Sequence, residues 1–366
     1  MKDIVVVGAG KIGATIADLL AGTGDYRVLI VDRSAAQLEG LADCRAIATR
    51  QLDIAEEGTL AAVLDGKFAV LSAAPFHLTE RVARAAAATG VHYLDLTEDV
   101  ASTRAVKTLA VGAVRSFIPQ CGLAPGFVSI VANDLAMRFE TLDSLRMRVG
   151  ALPQFPSNAL NYNLTWSTDG VINEYCEPCQ AISDGEMVVV PPLEECEEFA
   201  LDGVTYEAFN TSGGLGSLCE TYKGKVRTLN YRTIRYPGHA AIMKALLNDL
   251  RLRDRRHILK DILENALPTT LQDVVIVCVT VSGERDGRLL QETYANKIYS
   301  RRVGAQVRSA IQVTTASGIC AVLDMLATGA LPQRGFIRQE DIALDDFLVN
   351  RFGQVYAQQA QSRFVA

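Results

Sequence analysis

Short apolar runs at 4–7, 28–31, 45–49, 68–73, 91–96 and 113–118 alternate with Ala- and Leu-rich segments at 12–20, 55–64, 78–89 and 100–110. The runs are of strand length and the segments between them consist of good helix formers. Strand–helix alternation with short connections is the pattern of a parallel sheet with crossover helices. The predicted fold class is therefore α/β, a doubly wound parallel Rossmann sheet of six strands. Thr79 is placed to cap the 78–89 helix.

Past Pro125-Gly126 the pattern lengthens. From about 142 to 299 the apolar runs are β-like, at 187–190, 226–234, 274–282 and 289–299, and the last two flank a Gly-Glu-Arg-Asp-Gly loop at 283–287 that suits a hairpin. An apolar helix of small residues is predicted over 304–326, followed by an acidic amphipathic tail at 341–358. If that helix returns to the first sheet, residues 1–124 plus 304–366 form the dinucleotide domain, and 125–303 form an inserted α+β domain for substrate and dimerisation.

Composition narrows the class. With 366 residues, 49% hydrophobic and 21% charged, the chain has apolar material for two cores. A net charge of −6 argues against nucleic acid or an anionic membrane surface as partner. Strand-sized apolar runs and an N-terminus without a signal-peptide pattern lead to the expectation of a cytoplasmic protein with no membrane span. Eight cysteines are too few for a disulfide framework, and the lone Cys176-x-x-Cys179 reads as structural, with no metal site.

The first chemical motif is Gly8-Ala9-Gly10-Lys11-Ile12-Gly13, directly after the first apolar run and opening a helix. Gly8 permits the tight turn, Gly10 lets the backbone approach a pyrophosphate, and Gly13 lets helix and sheet pack closely, while the helix N-terminus, with Lys11 and Ile12, offers free N–H groups to phosphates. Asp32 ends the second run, where a carboxylate accepts from the adenosine ribose hydroxyls; it favours NAD over NADP, although Arg33 beside it would attract a 2′-phosphate. Asp53 and Ile54 follow the third strand, with Asp53 either reaching adenine or capping the next helix. Ala73, Ala74 and Pro75, and Asp95, Leu96 and Thr97, lie at carboxyl ends of strands, the rim where ligands bind in open α/β sheets.

Three further motifs carry a resemblance. Cys121-Gly122-Leu123-Ala124-Pro125-Gly126, Trp166-Ser167-Thr168-Asp169-Gly170 and Thr233-Ile234-Arg235-Tyr236-Pro237-Gly238-His239, in this order after the glycine fingerprint and ahead of Thr314-Thr315-Ala316-Ser317, resemble the saccharopine dehydrogenase-like family. The resemblance implies a pyridine-nucleotide oxidoreductase acting at a C–N bond of an amino acid, with substrate held between the dinucleotide domain and an inserted, largely β domain. Saccharopine reductases of the family usually carry Asp at the position of Ala124 and Cys at that of Val149, and a basic residue where this chain has Asp169. The stretch 166–175 instead looks like the L-lysine 6-dehydrogenase version.

The expected activity is therefore NAD-dependent oxidation of the ε-amine of L-lysine to 2-aminoadipate 6-semialdehyde and ammonia, in a homodimer or larger homo-oligomer. Saccharopine or carboxynorspermidine oxidation is the alternative in the same class, and a non-catalytic NAD sensor the alternative of another class. Arg235 is the expected partner of the substrate carboxylate, since a guanidinium meets a carboxylate at two points. Tyr162, Trp166 and Glu174 are expected to complete the substrate pocket. His239 at a helix start, Asp95 and Asp169 are the candidate proton carriers; Glu98 and Glu174 are further carboxylates that could hold or deprotonate the ε-ammonium, and the sequence does not choose among the four acids.

Overall fold

The computed structural model describes residues 1–41, 46–56, 58–304 and 306–358. The first sheet is built from β1 (Lys2–Val7), β2 (Tyr26–Asp32), β3 (Ile47–Gln51), β4 (Ala69–Ser72), β5 (His92–Asp95) and β6 (Ser116–Ile118). The second follows with β7 (Thr141–Pro153), β8 (Cys179–Ser183), β9 (Glu186–Val190), β10 (Glu197–Leu201), β11 (Val204–Asn210), β12 (Val226–Arg235), β13 (Asp273–Arg285) and β14 (Arg288–Tyr299). A small hairpin, β15 (Arg301–Val303) and β16 (Gln306–Arg308), precedes the last strand, β17 (Gly335–Phe336).

All pairings in the first sheet are parallel, in the order β17-β6-β5-β4-β1-β2-β3, so the direction in which strands are added reverses between β1 and β4. A switch of this kind opens a crevice at the carboxyl ends of the strands. β4 and β5 are buried along their whole length, as central strands of a parallel sheet covered on both faces are, and the polar His92 and Asp95 of β5 are buried with it. The protein is α/β, with a mixed second sheet in the order β10-β11-β12-β7-β13-β14, to which β8 is added beside β12 and β9 beside β8.

The helix Ala310–Ala327 joins the two sheets. Its length and apolarity would suit a membrane span, but 89% of it is buried inside the protein. It packs against the helix Lys11–Ala21, and a Cβ on Gly318 would lie 2.6 Å from the Cys121 carbonyl oxygen, so that glycine lets it press onto the 121–126 turn. Asp273 of β13 receives its first N–H groups, from Ala310 at 2.5 Å and Ile311 at 3.0 Å, and Ser309 with Gln312 completes a capping box.

Several predicted boundaries move. The helix expected from 304 begins only at Ala310, because 301–308 fold into the β15–β16 hairpin; Ala305 lies outside the described residues. The expected third strand starts at Ile47, and Arg45 too is outside them. The helix expected from Ala55 starts at Thr59, with Glu57 outside the description; Asp53 accepts from Ala55 N in a turn instead of capping that helix. Thr79 is the first helical residue and its side chain caps nothing. The 283–287 loop shrinks to Asp286-Gly287, both at positive φ (55° and 67°), the two-residue turn that continues the strand twist. The tail at 341–358 is short helices packed on the core, and 359–366 lie outside the described residues.

Candidate active site

A cleft of about 1050 Å³ runs between the carboxyl edge of the first sheet and the face formed by β7, β12 and the helix Thr168–Cys176. Gly8, Gly10, Ile12, Asp32, Arg33, Asp53, Ile54, Ala73, Ala74, Pro75, Leu96 and Thr97 line one wall. Trp166, Asp169, Glu174 and Arg235 line the other.

The first wall is a backbone cradle. Gly8 has φ +100°, and a Cβ there would lie 2.7 Å from the Ala73 carbonyl oxygen. A Cβ on Gly13 would lie 1.8 Å from the Gly8 oxygen, so Gly13 does not line the cleft but sets how tightly the turn closes on the helix. Gly10 differs: a Cβ there would find only the Gln37 side chain, at 3.8 Å, and would project into open cleft. Gly10 caps the helix Lys11–Ala21 without a side-chain bond, and among the described residues the N–H groups of Lys11, Ile12 and Gly13 have no acceptor. Free N–H groups at a positive helix end behind an open glycine fit a pyrophosphate. The Lys11 side chain is exposed and does not line the cleft. Asp32 Oδ2 accepts from Ala9 N (2.7 Å) and Oδ1 from Ser34 N (2.8 Å), which fixes the carboxylate at the adenosine end.

The second wall places charge where water is scarce. Arg235 is 2% exposed. Its Nε donates to the Tyr175 hydroxyl (3.0 Å) and its Nη1 to the Ile234 carbonyl (2.8 Å), while among the described residues Nη2 has no acceptor and no acid pairs with it. The acid directly across from it on β11, Glu207, is committed elsewhere, accepting from Gly238 N (2.9 Å) and Ala240 N (2.6 Å). Arg235 is thus a buried cation facing a cavity, an arrangement that calls for an anionic ligand.

Behind it stands His239, 1% exposed, whose Nδ1 lies 2.9 Å from the Leu160 carbonyl and whose Nε2 lies 3.1 Å from the Tyr175 hydroxyl. The carbonyl can only accept, so Nδ1 carries the proton and bare Nε2 accepts from the tyrosine. Burial and the nearby Arg235 push the imidazole down to about 3. His239 therefore does not reach the cleft; it orients Tyr175, which orients Arg235. Tyr162 is likewise a layer back, its ring 5.0 Å from the Arg235 guanidinium carbon.

Two more expected proton carriers change role. Asp95 is buried beneath the rim, accepting from Tyr93 Oη (2.7 Å), Thr97 N (3.0 Å) and Gln120 N (2.8 Å), and does not line the cleft. Those bonds tie β5 to the loop after β6. Asp169 does line the cleft, but its side chain is 59% exposed and paired with Lys260 at 2.6 Å.

Carboxyls of a different kind are Glu98 and Glu174. Both line the cleft, and among the described residues neither side chain has an ionic partner or a hydrogen bond to another residue, Glu98 meeting only its own backbone N–H. Burial raises Glu98 to about 7, with Asp99 and Asp95 adding to it. Burial and then Glu98 raise Glu174 to about 8, against the pull of Arg235. Tyr231, Thr233, Asn173, Arg256 and Lys260, not singled out from sequence, also line the cleft. Tyr231 and Thr233 were readable: they share the face of β12 with Arg235 at the two-residue period of a strand.

Comparison with known proteins agrees with this geometry. A model of the saccharopine dehydrogenase C-terminal domain matches residues 122–354, and one of the saccharopine dehydrogenase NADP binding domain matches residues 4–115. The chain belongs to the saccharopine dehydrogenase family. The Saccharomyces cerevisiae saccharopine dehydrogenase (NADP+, L-glutamate-forming) is 22% identical over 69% of this chain and 59% of its own length. The mitochondrial alpha-aminoadipic semialdehyde synthase of Bos taurus is 21% identical over 81% of this chain, which spans only 33% of that protein. Among solved structures, the apo yeast saccharopine dehydrogenase superimposes with a TM-score of 0.76 at 18% identity, covering 93% of this chain and 94% of its own. The Legionella pneumophila homospermidine synthase in complex with NAD superimposes at 0.68 with 13% identity, covering 98% and 90%. These likenesses establish the fold, and with the cradle they support a nicotinamide dinucleotide as cofactor.

Proposed function

We propose that this protein is a nicotinamide-dinucleotide-dependent amine oxidoreductase that converts the ε-amine of L-lysine to 2-aminoadipate 6-semialdehyde, releasing ammonia. The observation that carries the reading is Arg235, an unpaired buried cation in the same cleft as the glycine cradle. A substrate carboxylate meets that guanidinium, held in place by Tyr175 and His239. Trp166 walls the pocket on the helix side, where Gly170 makes room for its ring. When bound, the nicotinamide supplies a two-electron acceptor for hydride.

The choice of lysine over saccharopine rests on what lines the cleft. Ala124 and Val149, at positions where saccharopine reductases usually carry Asp and Cys, both face it. One buried cation suits one carboxylate; saccharopine has three. Asp32 at the ribose position favours NAD; exposed Arg33 and the NADP named for the yeast relative make a direct comparison of the two cofactors part of the test.

The deciding experiment is turnover of L-lysine and of saccharopine with NAD and NADP, scoring ammonia against glutamate. Lysine-dependent ammonia release supports the reading, and glutamate release from saccharopine replaces it with the secondary-amine reaction. Tight dinucleotide binding without turnover of either points to a sensor.

A further inference from the structure

Glu98 and Glu174 come from distant parts of the chain and meet over one turn. Glu98 lies in the loop after β5, and Glu174 on the helix Thr168–Cys176. Ser212 N donates to the Glu174 carbonyl (3.1 Å), and the next residue, Gly213, sits so close to Glu98 that a Cβ there would be 2.5 Å from its carbonyl oxygen and 3.0 Å from its Cβ. The 212–213 turn therefore holds both glutamates against the same stretch of cleft. Glu174 is 7% exposed and faces the cavity without a partner. Burial without a partner is costly for a carboxylate, and such groups persist where a ligand completes them.

We infer that Glu98 and Glu174 act as one proton-sharing unit that receives the reacting ammonium of the substrate and takes its proton. This rests on the amine-oxidation reading above and supplies the base that reading lacks. The step is a proton transfer alone: the N–H bond of the ε-ammonium breaks, an O–H bond forms on the pair, and the amine nitrogen regains the lone pair that oxidation of its carbon requires. A lysine ammonium loses its proton near 10.4. Transfer to a carboxyl held at about 8 is uphill by a few hundredfold, against about a millionfold for an ordinary glutamate at 4.5. The groups facing the pair are Asp95 and Asp99 beside Glu98, and Arg235, Tyr231, Tyr175, Tyr162 and Cys179 around Glu174. Because the two carboxyls are coupled, their titration belongs to the pair and not to either member.

Trp166 is the single tryptophan of the chain and lines the cleft, so its fluorescence reports occupancy without turnover. In the parent protein with dinucleotide present, L-lysine is expected to bind more tightly than L-norleucine, which lacks the ε-ammonium. Glu174→Gln should weaken lysine by about thirtyfold, the loss of a charge-assisted bond, and norleucine by less than about threefold. Glu98→Gln should act in the same direction. In turnover, kcat/KM of the parent should rise with pH through about 8. In Glu174→Gln that limb should move to the amine's own value of about 10, with activity recovering there.

Equal losses for lysine and norleucine, or no preference in the parent, overturn the pair, as does a pH limb that both variants leave in place while lysine is oxidised. If the parent discriminates the ammonium in the titration but oxidises no lysine, the pair stands and the reaction reading falls.

Discussion

The two walls of the cleft solve opposite problems. The first-sheet wall recognises through backbone: glycines whose missing Cβ atoms leave room, and N–H groups at a helix end, with Asp32 anchored by two amides. The second-sheet wall recognises through ionisable side chains driven into low dielectric, with Arg235 and Glu174 buried and unpaired and half-buried Glu98 brought against them from the loop after β5. A backbone cradle costs little to fold and binds whatever places a pyrophosphate there. Unpaired buried charges make folding less favourable and are tuned to one ligand. Binding of a shared cofactor and choice of substrate are thus assigned to different physical devices.

The largest effects should come from the cradle itself, and two glycines three residues apart separate packing from recognition. Gly13→Ala sets a Cβ against the Gly8 carbonyl oxygen and should cost more than about 3 kcal/mol, read as a fall in Tm and loss of dinucleotide binding together. Gly10→Ala meets nothing closer than 3.8 Å and its φ of −66° suits any residue, so Tm should hold while dinucleotide affinity falls. If both variants unfold, the cradle is a packing device and the contrast between the walls fails.

Next in size, Arg235→Ala should lower kcat/KM for the amino-acid substrate by about a hundred- to a thousandfold with the KM for dinucleotide unchanged, as expected when a buried charge pair loses one partner. Tyr175→Phe keeps the ring but releases Nε of Arg235 and Nε2 of His239, and should cost about tenfold, again on the substrate side only. Equal damage to both KM values would place Arg235 in the dinucleotide wall.

The cradle was legible in the sequence because each of its parts lies within a few residues of a strand end, at β1, β2 or β4. The glycines, Asp32 and the rim at Ala73-Ala74-Pro75 follow from local spacing. The substrate wall is made by contacts across the chain, such as the 60 residues between Tyr175 and Arg235, or the turn that joins Glu98 to Glu174. Residue type alone put Asp95, Glu98, Asp169, Glu174 and His239 on one roster of proton carriers, and burial and partners decide among them. Asp95 is bonded by three donors, His239 is spent on Tyr175 and Leu160, and Asp169 is solvated. A buried carboxyl that no other residue pairs with is visible only once the fold is closed.

That cost of leaving Glu174 unpaired can be measured as stability. Its carboxyl holds a proton more tightly in the folded protein, about 8, than at its ordinary 4.5. The unfolded chain releases the proton first, so stability is full below the ordinary value and falls as pH rises toward the folded one, levelling off beyond it. Glu174→Gln removes that loss. It should stabilise the fold most at about pH 9, by on the order of a few kcal/mol and read as a higher Tm, with the gain vanishing toward about pH 4. A variant less stable than its parent at every pH would mean that Glu174 is internally paired, and the substrate wall would then resemble the first.

The smallest effect is expected where the sequence pointed hardest. Asp169 sits in a motif, lines the cleft and belongs to the helix that carries Glu174, yet its carboxylate faces solvent and Lys260. A solvated pair of this kind contributes about 0–1 kcal/mol, and its charge is screened before it reaches the buried groups. Asp169→Asn should therefore change kcat/KM by less than about fivefold and leave the pH limb where it was, with added salt erasing what difference there is. Arg256, also at the cleft, is tied to Glu177 at 2.7 Å, so the helix carrying Arg256 and Lys260 stays latched to its neighbour when the Asp169 contact is lost. A loss of a hundredfold or more, insensitive to salt, would return the proton to Asp169 and make the mouth of the cleft, not its floor, the place where amine is activated.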